Sequence, residues 1–163
     1  MIYFLSLGSN LGNKARNLAR AGRLLREGGV EVLKESSIYL TEPVDNTDQP
    51  WFVNEVLEVR SALDPPALLR LAKSIEARMK RVPTVAKGPR TIDIDILFAG
   101  DTVLDTPELV IPHPRLAQRN FVLVPLCEIV PEIRHPVLGK TIRELAPASA
   151  DRASVIVQKR RHS

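Results

Sequence analysis

Two aspartates, Asp93 and Asp95, alternate with Ile92, Ile94 and Ile96 inside the stretch GPRTIDIDILFAG at 88–100. On a strand the isoleucines share one face and the aspartates the other, with about 6–7 Å between the aspartate α-carbons. Unneutralised carboxylates so close repel, and one pKa must rise. A divalent cation removes that penalty. Hard oxygen ligands suit Mg²⁺, which takes one or two carboxylates together with phosphate oxygens. An acidic, solvent-facing strand would show the same D-x-D pattern, but aspartate is among the least favoured strand residues. Arg90, fixed behind Gly88 and Pro89, places a guanidinium beside the same spot. Carboxylates able to hold a metal and a cation facing one point indicate a phosphate chain as ligand.

Other segments offer parts that fit such a site. IPHPRLAQRNF at 111–121 carries His113 between two prolines, then Arg115, Arg119 and Phe121. The rigid setting of His113 suits a fixed hydrogen-bond donor, although a loop histidine without a role fits the segment as well. Arg119 and Arg81 are natural partners for spread phosphate charge. Phe52 and Asn54 lie on one alternating face, an arrangement that can stack a flat heterocycle and read its edge. Read by itself, that segment fits better an exposed asparagine with Phe52 in the core. GSNLGN at 8–13 lacks the lysine and the glycine spacing of a phosphate-cradling loop and reads as a turn and helix cap. His135 and His162 have no supporting neighbours.

The elements that must position these residues follow from periodicity. Residues 2–8 read as an apolar strand ending in a turn. Leu18, Ala21, Gly22 and Leu25 then recur at helical spacing over 14–27, and Gly28 and Gly29 stop that helix. Residues 30–40 and 51–61 read as strands around a polar loop at 41–50. Asp64 is a good N-cap with Pro65 in the first turn, and Leu68, Leu69, Ala72, Ile75 and Met79 form a buried stripe. With 88–100 as the last strand, the order is βαββαβ. That is an α+β, ferredoxin-like core, an antiparallel sheet with both helices on one face. Beyond core residues 1–100 lies an irregular extension, 101–150, in which 119–129 and 140–146 read as short helices, the first with a strand as alternative. The whole chain, 1–163, reads as a single domain.

Composition narrows the classes. The 163 residues suit one domain with its own core. A single cysteine, Cys127, excludes an intrachain disulfide and a thiolate metal site, which points to a reducing, cytoplasmic setting. The first residues are too short an apolar run for a signal peptide or membrane span. Net charge is +4, with part of the excess in the terminal QKRRHS, 158–163, read as a solvated basic tail. Aromatic content of 4% argues against a stacking platform for single-stranded nucleic acid. A ferredoxin-like RNA-binding module would need aromatics on its central strands, where this chain has Asp93 and Asp95. A D-x-D sugar transferase normally needs a larger nucleotide-sugar domain than 163 residues hold.

The combination of LSLGSNLGN, SSIYLTEPV, DQPWFVNEV, GPRTIDIDIL and IPHPRLAQRNFVLVPLCEI resembles the 6-hydroxymethyl-7,8-dihydropterin pyrophosphokinases, from Met1 to about Ala146. The resemblance implies transfer of the terminal diphosphate of ATP, the co-substrate, to the hydroxymethyl group of the pterin, with release of AMP. It implies two Mg²⁺ ions on Asp93 and Asp95, and a catalytic set of Arg81, Arg90, Asp93 and Asp95. ATP would be met by Arg81, Lys87, Arg90, His113 and Arg119. The pterin would be met by Thr41, Pro43, Val44, Phe52, Asn54 and Phe121. It further implies loops near 9–13, 44–50 and 81–89 that close over both substrates. The partners expected are these two small molecules, with no nucleic acid and no membrane, and the protein is expected to be a monofunctional monomer. No general base stands out. The chain departs from many relatives at Lys80, Pro83, Lys87 and Pro114, and its 81–88 loop is one residue shorter than in some, so Lys87 is assigned there as replacement positive charge.

Overall fold

The structure, a computed structural model, describes residues 1–44, 47–80 and 90–160. Strand β1 (Ile2–Ser9) is buried along nearly its whole length, because it runs down the middle of an antiparallel sheet. Its neighbours are β4 (Phe52–Ser61) and β5 (Asp93–Ala99). The stretch 30–40, expected as one strand, is divided into β2 (Val30–Glu35) and β3 (Ile38–Thr41), both paired with β4. The break falls at Ser36 and Ser37, whose hydroxyls take over from the ladder. Ser36 Oγ accepts from the Val56 N–H at 2.9 Å, and Ser37 donates both its N–H and its hydroxyl to Glu128.

Helix α1 (Lys14–Glu27) is capped by Asn13, which accepts from the Arg16 N–H, and stops at Gly28. Gly29, with φ of +89°, turns the chain back where a side chain would be strained. Helix α2 (Pro65–Met79) is capped by Asp64, which accepts from the Ala67 N–H at 2.9 Å. Both helices cover the same face of the sheet. Tyr3, Leu5 and Leu7 of β1 meet Leu18 and Leu25 of α1, Leu68 and Ile75 of α2, and Ile92, Ile94 and Ile96. Each such side chain contributes about 1.5–3 kcal/mol when fully buried. The βαββαβ core expected from periodicity is therefore present, with its helices on one face.

The C-terminal third is more regular than expected. After the short pair β6 (Leu104–Asp105) and β7 (Val110–Ile111) and a 3-10 turn at Leu116–Gln118 come α3 (Asn120–Ile129) and α4 (Ile142–Ala148). These two helices pack on the opposite face of the sheet, burying Phe4, Val56, Leu97 and Phe98 beneath Leu123, Leu126 and Ile142. Leu5 faces Ile96 and Phe4 faces Phe98, so Leu97 is an extra residue in the ladder. This bulge turns both Leu97 and Phe98 toward the second layer. Strand β8 (Val155–Lys159) adds to the sheet beside β3, giving the order β5-β1-β4-β3-β8 with β2 also on β4. It takes in Gln158 and Lys159, assigned above to a solvated tail. Its side chains are mostly exposed, and Val155, Ile156 and Val157 form a short apolar run without alternation. Among the described residues no helix is long and apolar enough to cross a membrane.

Candidate active site

Helices α3 and α4 cover part of the second sheet face and leave the rest as the floor of a cleft of about 740 Å³, its open mouth included. The strand register decides what lies on that floor. Gly8 stands opposite both Asn54 of β4 and Asp93 of β5, and Ser6 stands opposite Asp95. Thr41, Pro43 and Val44 at the end of β3 line the cleft with Phe52, and Arg119 and Phe121 contribute from the start of α3. Arg90 completes the lining beside the carboxylates. The structure thus brings together every candidate named from sequence within the described residues except His113 and Arg115. Arg81 and Lys87, and the loop 81–89 that carries them, lie outside the described residues.

Asn54 is buried and held from two sides. Its Oδ1 accepts from the Thr41 hydroxyl, and its Nδ2 donates to the Leu7 carbonyl at 3.4 Å. A β-carbon at position 8 would stand 2.5 Å from that Nδ2, so glycine there is what lets the amide lie across β1. Held this way, Asn54 keeps one amide hydrogen and acceptor capacity for a ligand. The Arg119 guanidinium lies 5.5 Å from the centre of the Phe121 ring, a cation–π contact at the rim. Arg90 is placed through its backbone: its N–H donates to Asn10 Oδ1 at 2.7 Å, and its carbonyl accepts from the Asn10 N–H at 3.0 Å. Asn10 also donates to Gln49 and to the Pro50 carbonyl, which ties the 47–50 segment to the same point.

The carboxylates are electrostatically unsettled, as their spacing requires. Burial, with Asp95 and Glu76 nearby, pushes Asp93 up to about 6 against the pull of Arg90 and Lys80. Burial and Glu76 likewise raise Asp95, opposed by Lys73 and Arg119. Glu76, on α2, accepts from the Ile94 N–H at 2.8 Å, between the two aspartates, and from Lys73 at 3.3 Å. Strand β5 is the edge of the sheet, and this bond satisfies an edge donor that would otherwise be free.

A second cavity runs along that edge, lined by Lys73, Ile94, Asp95, Ile96, Glu108 and His113. His113 therefore faces the neighbouring space, and Asp95 is common to both. The His113 N–H donates to the Leu97 carbonyl at 3.0 Å, which fixes the loop to β5. Its Nδ1 accepts from the Arg115 N–H at 3.2 Å, leaving Nε2 to carry the proton of the neutral ring. Burial, with Arg119 and Arg115 close by, lowers its pKa to about 4, so the ring is neutral and can donate at neutral pH.

Sequence reasoning missed Gly8, Asn10, Lys73 and Glu76 as parts of the site. GSNLGN was correctly a turn and cap, yet the cap is Asn13, and Asn10 is the residue that joins three segments. Glu76 interrupts an otherwise apolar stripe, and that interruption was the available signal.

Among the described residues no group of three or more His, Cys, Asp or Glu side chains could cage a metal. Two raised, neighbouring carboxylates with arginines beside them fit Mg²⁺ instead, which completes its shell with water and substrate phosphate. On this ferredoxin-like sandwich the pair lies in a cleft that also holds Arg90, Arg119 and two aromatic rings, with Asp95 shared by the second cavity, an arrangement suited to a phosphate-bearing small molecule. Residues 4–131 match the family model of the 7,8-dihydro-6-hydroxymethylpterin-pyrophosphokinases (HPPK), and the chain belongs to that family. Membership implies dependence on magnesium-ATP.

Among its relatives, the 2-amino-4-hydroxy-6-hydroxymethyldihydropteridine pyrophosphokinase of Bacillus subtilis is 38% identical over 161 residues, 98% of this chain and 92% of that one. The folic acid synthesis protein fol1 of Pneumocystis carinii is 42% identical over 139 residues, 85% of this chain and 19% of that protein. The chain thus spans about a fifth of the length of such longer relatives. A crystal structure of wild-type Plasmodium falciparum HPPK-DHPS with pteroate superposes with a TM-score of 0.71 at 22% identity, covering 90% of this chain and 42% of that one. It shows the fold.

Proposed function

We propose that this chain transfers the terminal diphosphate of ATP to the hydroxymethyl oxygen of 6-hydroxymethyl-7,8-dihydropterin and releases AMP. The observation that carries this reading is the position of Asp95, which lines both the amide–aromatic cleft and the cavity along β5. A phosphate chain lying across Asp93 and Asp95 would have its nucleoside end in the second cavity and its acceptor in the first. Asn54, with Thr41 fixing its amide, reads the edge of the pterin, Phe52 and Phe121 stack on its ring, and Pro43 and Val44 close the side. Arg90 and Arg119 neutralise charge on the phosphates, with Arg81 and Lys87 joining them from the loop. The neutral His113 donates to the nucleotide from Nε2.

In the reaction the hydroxymethyl oxygen forms a bond to the β-phosphorus. The bond from that phosphorus to the oxygen bridging it to the α-phosphorus breaks, that oxygen leaves with AMP, and the hydroxyl proton passes to water. Such chemistry asks the protein for positioning and charge neutralisation. Asp93 and Asp95 would hold two magnesium ions, which would supply positive charge to the phosphate chain during transfer. The described residues set the geometry: Asn54 orients the acceptor, and Asn10 and Glu76 fix the backbone at Arg90 and between the aspartates. The same reading treats 1–163 as one catalytic unit, acting as a cytoplasmic monomer on small molecules. Mixing the protein with magnesium, ATP and the pterin should yield AMP one-for-one with pterin diphosphate, followed by chromatography. Formation of ADP in its place would overturn the reading.

A further inference from the structure

Helix α3 carries Arg119 and Phe121 at its start, yet it has no local cap. Arg119 occupies the N-cap position and makes no capping bond through its side chain. The cap comes from 31 residues downstream. Asp151 accepts the Asn120 N–H through Oδ2 at 2.9 Å, and the Asp151 carbonyl accepts from the Asn120 side-chain amide at 3.1 Å. Its other oxygen, Oδ1, accepts from the Ala153 N–H at 2.9 Å, which holds the carboxylate in place. Three residues on, the same segment is bonded to another part of the cleft lining, at the end of β3. The Glu42 N–H donates to the Ser154 carbonyl, and the Ser154 N–H donates to Glu42 Oε1, both at 3.0 Å. Glu42 lies between Thr41 and Pro43, which line the cleft, and β8 then pairs along β3.

We propose that residues 149–159 form a strap that sets the two walls of the amide–aromatic cleft against each other, with Asp151 as the positioning residue for Phe121. The segment lies beyond the residues matched by the family model, 4–131. The proposal rests on the pterin reading of that cleft. Asp151 touches no part of the proposed ligand site. It acts by fixing the first turn of α3, where an unsatisfied N–H would let the helix start fray and the Phe121 ring move. Capping from a distant segment, in place of a local Ser or Asp, links that ring to the chain that also holds Glu42 and β3.

A double-mutant cycle on pterin affinity tests this, using the full chain with magnesium and an ATP analogue that is not cleaved. Asp151→Ala should weaken pterin binding about fivefold, the scale of one lost cap. Phe121→Ala removes the ring through which Asp151 acts. Adding Asp151→Ala to it should therefore change affinity by less than about twofold. Asp151→Asn, which keeps one acceptor oxygen, should restore part of the loss. Wild-type affinity in Asp151→Ala, or losses that multiply in the double variant, would overturn the proposal. If Asp151→Ala does not fold, the same cycle run with Asp151→Asn decides in the same terms. A wild-type protein that neither binds the pterin nor forms AMP overturns the reading of the cleft, and the strap with it.

Discussion

The two faces of the sheet are built from the same strands and do opposite things. On the α1/α2 face, Leu5, Leu7, Ile94 and Ile96 meet Leu18, Leu25, Leu68 and Ile75, and apolar contact is continuous. On the other face, α3 and α4 bury Phe4, Val56 and Phe98 but leave Ser6, Gly8, Asn54, Asp93 and Asp95 to line a cleft. Strand alternation puts Ile94 and Asp95 one residue apart and on opposite sides. The difference teaches that this site is a patch of sheet its covering helices leave open. Stability and binding can therefore be separated residue by residue along one strand.

Breaking that comparison should give its largest effect on the open side. Asp95→Asn is expected to lower turnover by on the order of a thousandfold, while thermal unfolding of the metal-free protein shifts little or upward, since a strained charge has been removed. Near-normal turnover would dissolve the distinction between the faces. On the closed side, Leu68→Ala should cost about 2–5 kcal/mol of stability in denaturant titration. Turnover per folded molecule should survive at low temperature. A loss of turnover without a loss of stability would show that the two faces are not separable.

The smallest effect expected is on pH. Asp93 sits at about 6, above its ordinary value of 3.8. The folded protein thus keeps a proton that the unfolded chain releases between those values. The penalty is fully present above about 6, and the metal-free protein should gain stability as pH falls below it, by about 1–3 kcal/mol. Asp95 is raised in the same direction. Asp93→Asn should make the protein more stable at neutral pH and flatten this gain, as read by melting curves across the acid range. An unchanged slope would remove Asp93 as its source.

Much of the site was legible because its chemistry is local. D-x-D on an alternating strand and Arg90 behind Gly-Pro each declare themselves within a few residues. Asn54 with Phe52 did not, since that segment alone fits better an exposed asparagine, whereas the fold buries Asn54. Facing Gly8, it has the space to lie across β1, and the Thr41 hydroxyl fixes its amide. Glu76 and Asn10 were not found because each acts on a partner far along the chain, Ile94 and Arg90, through a backbone bond that leaves no pattern. Strand β8 was missed because its exposed side chains show no alternation.

By itself the sequence determined the βαββαβ order, the pairing of two carboxylates on one strand face and the apolar set opposite them. These depend on periods of 2 and 3.6 residues, which are properties of consecutive side chains. The tertiary structure decided which half of the second face stays open, that Asp95 belongs to both cavities while His113 belongs to one, and that Asp151 caps α3. Those facts depend on strand register, on where α3 and α4 stop and on bonds between distant segments. Chain-local periodicity encodes none of them.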